Sequence, residues 1–391
     1  MTLVPGDLLA QFGSPLYVYD EAELRHRCRA IRDAVPLSDV DVLYAMKANA
    51  NPALLQIVRE EGLGIDAVSL GEVRRALRCG FSADRISFNG NNVGDSEMSA
   101  VRKAGVHVTV DSLSQLARFG RLAPGARVAI RINPDIGDGH HDHVITGGPA
   151  SKFGIEHRRV GEALDVATRA GLVIDGVQHH IGSGVLDAEV FLKAMDVLLS
   201  VAARVPDHRF VDFGGGFGVP YAPGDATLDL MGFGARAAEL MIAHREATGR
   251  DVGFRFEPGR LVVATCGTLY VTVTAVKRHQ QQVWVGTDSG FNHLLRPALY
   301  GSYHAIENVT SPDGPLETVN VAGNVCEAGD VFARERSLPR CRDGDVLAIR
   351  DTGAYGWSMA STYNLRARPA EVLIGEGGPQ LIRPREDEED L

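Results

Sequence analysis

The stretch Asp41-Val-Leu-Tyr-Ala-Met-Lys-Ala-Asn49 decides how the rest of the chain is read. Val42, Leu43 and Tyr44 form an uncharged run of the kind that makes a buried strand. One lysine, Lys47, follows, and Asn51-Pro52 then supplies a helix cap and a proline suited to the first helical position. A lysine where a buried strand gives way to a loop has two readings. It snorkels out to solvent, or it sits in low dielectric, where its ammonium loses a proton more easily and the amine becomes a nucleophile for Schiff-base chemistry. The stretch alone leaves both open.

A rhythm of apolar strands and helical patterns starts there. Candidate strands are Val42–Met46, Gly64–Val68, Arg85–Phe88, Val106–Val110, Val128–Ile132, Val173–His179, Phe210–Phe213 and Gly253–Phe256. Amphipathic segments fill the intervals: Ala53–Glu61, Leu70–Cys79, Ser96–Ala104, Ser112–Phe119, Arg159–Ala170, Ala188–Val205 and Leu228–Thr248. Strands alternating with helices in this number suggest a (β/α)8 barrel, with a doubly wound sheet as the alternative. Before it, residues 1–35 read as a short helix, the strand Leu16–Tyr19 and a second helix. After Glu257-Pro-Gly-Arg260 the pattern changes. Leu261–Val276 and Gln282–Val285 alternate as antiparallel strands do, and Thr318–Val321, Val346–Arg350 and Ala370–Ile374 continue the habit. The expected layout is a barrel over 36–260 and a β-rich domain over 261–391 joined by the N-terminal residues 1–35. The acidic run Glu386–Asp390 reads as a solvated, frayed tail.

Bulk properties narrow the function. The chain has 391 residues, a net charge of −10 and 45% hydrophobic residues. The charge argues against nucleic acid as main partner, and no apolar run approaches a membrane span. No signal-peptide pattern opens the chain. Five scattered cysteines form neither a disulfide framework nor metal-binding spacing, so a reducing cytoplasm is the expected setting.

In a barrel of this kind the chemistry collects where strands end. Strand one ends at Lys47, strand six runs into His179-His180-Ile-Gly-Ser-Gly184, strand seven into Gly214–Gly218 and strand eight into Glu257–Arg260. Runs of glycine let backbone N–H groups form a cradle for phosphate, and barrels often place one after strands seven and eight. A lysine, such a cradle and a facing acid suit pyridoxal phosphate, which needs a Schiff-base lysine and an acid that keeps its ring nitrogen protonated. Glu257 is placed for the acid and His180 for the ring face.

The chain resembles the fold-type III pyridoxal-phosphate decarboxylases, the group that includes ornithine, arginine and diaminopimelate decarboxylases. Tyr44–Asn49, His180–Gly184, Asp212–Gly216, Glu257–Arg260, Cys326-Glu-Ala-Gly-Asp330 and Gly353-Ala-Tyr-Gly356 carry the resemblance in order. Phe291–His304 and Asp351–Asn364 look most like the bacterial diaminopimelate enzymes. The resemblance implies that Lys47 bears the cofactor, His180 stacks on it and Glu257 pairs with its ring nitrogen. It assigns the phosphate to Ser183, Gly215, Gly216, Gly259 and Tyr355. Arg260, Arg296 and Tyr300 would grip a distal carboxylate of the substrate, Glu327 its distal amine, and Cys326 would return a proton. It also implies a homodimer in which Cys326 and Glu327 serve the partner's site.

Three departures bear on the substrate. Ala328 stands where the diaminopimelate enzymes usually carry Ser, Asn324-Val325 where Pro-Leu is common, and Trp357 where Phe or a smaller residue is frequent. A tryptophan there resembles decarboxylases of citryl-diamine siderophore precursors such as N-citryl-ornithine. D-Lysine or D-ornithine decarboxylation, and a non-catalytic regulator, are further alternatives. No resident metal is expected; His140, His141 and His143 could hold zinc in principle but read as loop histidines.

Overall fold

The computed structural model describes residues 5–136, 138, 139, 148 and 151–391. The chain divides into two compact units, one of residues 26–219 and 226–262, the other of 5–25, 220–225 and 263–391.

The first unit is a closed parallel barrel. Its strands are Val40–Ala45, Gly64–Ala67, Ile86–Phe88, His107–Val110, Arg127–Asn133, Val173–Gln178, Phe210–Asp212 and Gly253–Phe256. Each pairs with the next, and the eighth returns to the first with Phe254 opposite Val40. The doubly wound alternative is excluded by this closure. The intervening helices include Pro52–Glu60, Leu70–Arg78, Asp95–Lys103, Leu113–Leu122, Val160–Arg169, Ala188–Ala202 and Leu230–Thr248. Side-chain caps set their starts: Asn51 accepts from Ala53 N–H, Ser69 from Glu72 N–H and Ser112 from Gln115 N–H. Aromatic rings pack the last two strands against the helix Leu230–Thr248. Phe213 stacks on Phe254 at 5.9 Å between ring centres, and Phe256 packs against Phe213, Phe217 and Phe233.

The second unit is rich in strands. Leu16–Asp20 pairs antiparallel with Gly267–His279 and parallel with Ala370–Gly375. Its Tyr17 and Tyr19 are fully buried, and the Tyr19 hydroxyl donates to the buried Glu371. Gln282–Thr287 runs antiparallel to Gly267–His279 but parallel to Leu316–Ala322. Val331–Pro339, Ile306–Asn308 and Gly378–Arg383 complete the sheet and were not foreseen from the sequence. Register shifts disturb the pairing of Val331–Pro339 and of Gly378–Arg383, and Glu335 in the former is left-handed.

Two expectations need correction. The strand expected from Leu261 starts at Gly267, because Arg260–Val263 forms a helical turn whose apolar side chains are all buried. A Cβ at Gly267 would lie 2.3 Å from the Cα of Gly353, so the strand begins where only glycine fits. The acidic tail is anchored rather than frayed at its start: Glu386 accepts from the Arg368 backbone N–H at 3.0 Å and from its guanidinium.

Candidate active site

Lys47 follows the first barrel strand, and its Nζ lies 4.0 Å from an Asp66 carboxylate oxygen. Asp66 sits on the second strand, 3% exposed. The Asn89 amide, just past the third strand, donates to Asp66 at 2.8 Å and to Glu257. Gln178, at the end of the sixth strand, donates to the other Glu257 oxygen at 2.8 Å. One buried carboxylate at the end of strand eight is therefore gripped by amides from two other strands. Burial raises its pKa well above the usual carboxylate range, and the Asp212 and Asp66 carboxylates push the same way. Asp212 is raised chiefly by burial and accepts from Gly214 N–H at 2.9 Å.

His180 follows strand six. The Gly215 N–H donates to its Nδ1 at 3.1 Å, which fixes the plane of the ring. Burial holds its pKa well below that of a free imidazole, with Lys47 and Arg131 adding to the effect, so the ring is neutral. The glycines are needed by contact. A Cβ on Gly215 would sit 2.0 Å from the Glu257 carbonyl oxygen, and one on Gly214 would sit 2.0 Å from the His179 carbonyl oxygen. Gly216 has a φ of 116°. Gly259 is tighter than usual against Ala45 and Ala48, the residues flanking the Lys47 turn. Arg260 is buried and donates to the Ser183 hydroxyl at 2.9 Å. Lys47, His180, Ser183, Gly215, Gly216, Glu257, Gly259 and Arg260 thus belong to the barrel unit, at strand ends or in the loops that follow them.

The remaining sequence-derived residues belong to the strand-rich unit. Arg296 is fully buried in the helix Arg296–Tyr300, bonded to His304 Nε2 at 2.8 Å and stacked 4.4 Å over Tyr221. Tyr300 ends that helix and is half-buried. Cys326 is exposed, with its N–H donating to Asn364 Oδ1 at 2.8 Å. Glu327 is exposed and accepts from the Tyr363 hydroxyl at 2.8 Å. The buried Asp330 pins this segment by accepting from Val325 N–H and Phe291 N–H at 2.7 and 2.6 Å. Tyr355 is half-buried with a left-handed φ of 58°. His140, His141 and His143 lie outside the described residues.

Sequence reasoning missed Asn89 and Gln178, gave no role to Asp66 or Asp212, and treated Glu257 as standing alone. For Asn89, Gln178 and Asp212 the signal was a polar residue at the end of a strand, the same signal that picked out Lys47, whereas Asp66 lies within its strand.

A closed parallel barrel with a lysine, a buried acid and glycine-built turns at its strand ends defines the class of barrel enzymes that work with pyridoxal phosphate. The chain belongs to the pyridoxal-dependent decarboxylases: residues 21–264 match that family's pyridoxal-binding domain. It is 46% identical to the diaminopimelate decarboxylase of Methanothermobacter thermautotrophicus, across 98% of this chain and 92% of that one. To the Escherichia coli K12 diaminopimelate decarboxylase it is 38% identical, across 98% and 94%. The crystal structure of the Helicobacter pylori diaminopimelate decarboxylase complexed with L-lysine superposes with a TM-score of 0.91 at 33% identity, covering 98% of this chain and 97% of that one.

The implied cofactor is pyridoxal phosphate, and the residues fit it. Glu257 is a buried acid fixed by neutral amides, the donor set that leaves a carboxylate able to take up a positive ring N–H. Among the described residues no cluster of three or more metal-ligating side chains occurs. No described helix is long and apolar enough to cross a membrane.

Proposed function

We propose that this protein decarboxylates meso-2,6-diaminopimelate to L-lysine and CO2, as a cytoplasmic homodimer that draws each active site from both subunits. The observation that carries this reading is the Lys47–Asp66–Asn89–Glu257–Gln178 chain inside a barrel whose relatives are named diaminopimelate decarboxylases. Bound pyridoxal phosphate supplies an electron sink for the pair left behind when CO2 departs.

The chain's own groups then have distinct tasks. Lys47 is the residue that would hold the cofactor through its amine, with the Asp66 carboxylate 4.0 Å from its Nζ as the nearby opposite charge. Glu257 holds a proton against the cofactor's ring nitrogen, and Asn89 and Gln178 keep its two oxygens in place. Neutral His180 offers a flat face without bringing a second charge. Ser183, Gly215, Gly216, Gly259 and Tyr355 are assigned the phosphate. Arg260, Arg296 and Tyr300 are assigned the distal carboxylate, which a guanidinium matches in bidentate fashion. Glu327 is assigned the distal amine and Cys326 the returning proton. The exposure of Cys326 and Glu327, beside exposed Tyr363 and Leu365, supports their serving a second copy.

Trp357 has a structural explanation that needs no change of substrate. The Arg368 and Arg383 guanidiniums lie 4.6 and 3.8 Å from the centre of its ring, and its N–H donates to the Pro369 carbonyl. These partners give the tryptophan a packing role within its own unit. Ala328 is exposed, so losing a hydroxyl there leaves no buried group unsatisfied.

The test is turnover by pyridoxal-loaded protein of meso-diaminopimelate beside N-citryl-ornithine, D-lysine and L-ornithine. Lysine formation from diaminopimelate, with the other three poor substrates, is expected. Preferential turnover of the citryl compound would overturn the substrate while leaving family and cofactor in place.

A further inference from the structure

A cavity lies wholly within the strand-rich unit. It has a volume of about 370 Å3 and is bounded by the turn after the helix Arg296–Tyr300 and by the segment from Gly329 to Arg336. Two of its lining side chains are arginines, Arg334 and Arg336, and none is acidic.

The other arginines of the same sheet show the contrast. Arg278 closes on Glu317, Arg350 on Glu307, Arg368 on Glu386 and Arg383 on Glu371. Among the described residues Arg334 and Arg336 form no such ion pair and lie against rings instead. The Arg336 guanidinium is 3.3 Å from the centre of the Tyr303 ring, and Arg334 is 5.6 Å from that of Trp284. Stacking occupies the flat face of a guanidinium and leaves its N–H edge for an acceptor. Partial burial lowers the Arg336 pKa, with only Tyr303 opposing. The Ser302 hydroxyl oxygen, also at this cavity, is buried and makes no hydrogen bond to a described residue. A buried donor without a partner and a stacked cation without a counterion both call for an acceptor from outside.

The geometry points to a binding site for a small organic oxyanion, a carboxylate or a phosphate ester, held by Arg334, Arg336 and the Ser302 hydroxyl. Tyr303 fixes the plane of the Arg336 fork, and the apolar Pro297, Val331 and Phe332 supply the walls. The site is built from other residues than those assigned to the reaction and does not depend on that reading.

Titration calorimetry on pyridoxal-loaded protein, with inorganic phosphate and malonate as separate probes, tests it. Loading keeps phosphate out of the cofactor's own cradle. At least one probe is expected to bind saturably, and which binds better tells the two ligand classes apart. Arg336→Gln and Arg334→Gln should each weaken binding roughly tenfold or more, Arg336→Lys should restore part of it, and Arg260→Gln should leave it unchanged. Binding that survives both glutamine variants, that is lost with Arg260→Gln, or that is absent for both probes because a second copy covers the cavity, would overturn the proposal. Unchanged melting temperatures in Arg334→Gln, whose side chain is exposed, separate lost binding from lost folding.

Discussion

At the scale of single residues, the account rests on Lys47 and Glu257, and both were legible because each closes an apolar strand. What was not legible is how Glu257 is held. Asn89 and Gln178 are neutral, and a neutral amide at a strand end carries no charge to draw attention. Only the closed barrel brings residues so far apart in sequence to one carboxylate. Asn89→Leu removes the amide shared by Asp66 and Glu257 and leaves two buried carboxylates without their common donor. A loss of about 1–3 kcal/mol in unfolding free energy is expected by denaturant titration, since a buried group left unsatisfied costs about that much. Glu257→Gln keeps shape and burial but cannot hold a ring proton. The enzyme should then lose on the order of 100-fold or more in kcat while still binding cofactor, as read by visible absorbance. Unchanged kcat would remove Glu257 from the chemistry.

At the scale of elements, the barrel strands were readable nearly to the residue, because strands buried on both faces are uninterrupted apolar runs. The strand-rich unit was harder. Its strands mix parallel and antiparallel neighbours, and bulges disturb the two-residue period in Val331–Pro339. The loop between strand seven and its helix shows why glycine was needed there. Gly215→Ala would drive a methyl into the Glu257 carbonyl, so this variant should lose affinity for the cofactor about tenfold or more in equilibrium titration.

The helix Leu230–Thr248 carries a different constraint. Its His244 lies against His208, Nε2 to Nε2 at 3.1 Å, and His208 also meets the Val205 carbonyl and the Arg250 guanidinium. Burial, then His208 and Arg250, lowers His244 to about 4, and burial lowers His208 as well. Both rings therefore stay neutral in the folded protein at pH values where the unfolded chain, with ordinary imidazoles near 6.5, binds protons. Their contribution to stability is complete above about pH 6.5 and is lost as pH falls toward 4. His244→Phe should flatten the slope of unfolding free energy across that window relative to the native chain. An unchanged slope would show that the pair does not report pH.

At the scale of the whole molecule, the net charge of −10 argued against nucleic acid as main partner and no apolar run reached membrane length, but composition said nothing of assembly. The shared-site homodimer is testable by mixing two inactive variants. Lys47→Ala abolishes the site of its own barrel, and Cys326→Ala abolishes whichever site its cysteine serves. If Cys326 serves the partner, dissociating and re-associating an equal mixture should restore about a quarter of native activity, from the one intact site in each mixed dimer. If both residues act within one chain, no mixed dimer gains an intact site and activity stays at the level of the separate variants.

The reaction is tested most directly by the release of CO2 from meso-diaminopimelate by the pyridoxal-loaded native chain and by Lys47→Ala side by side, with L-lysine identified as product and visible absorbance recorded for both. Absorbance and lysine are expected from the native chain, and neither from the alanine variant. Lysine formation at native rates without Lys47, or none from the loaded native chain, would contradict the proposed reaction.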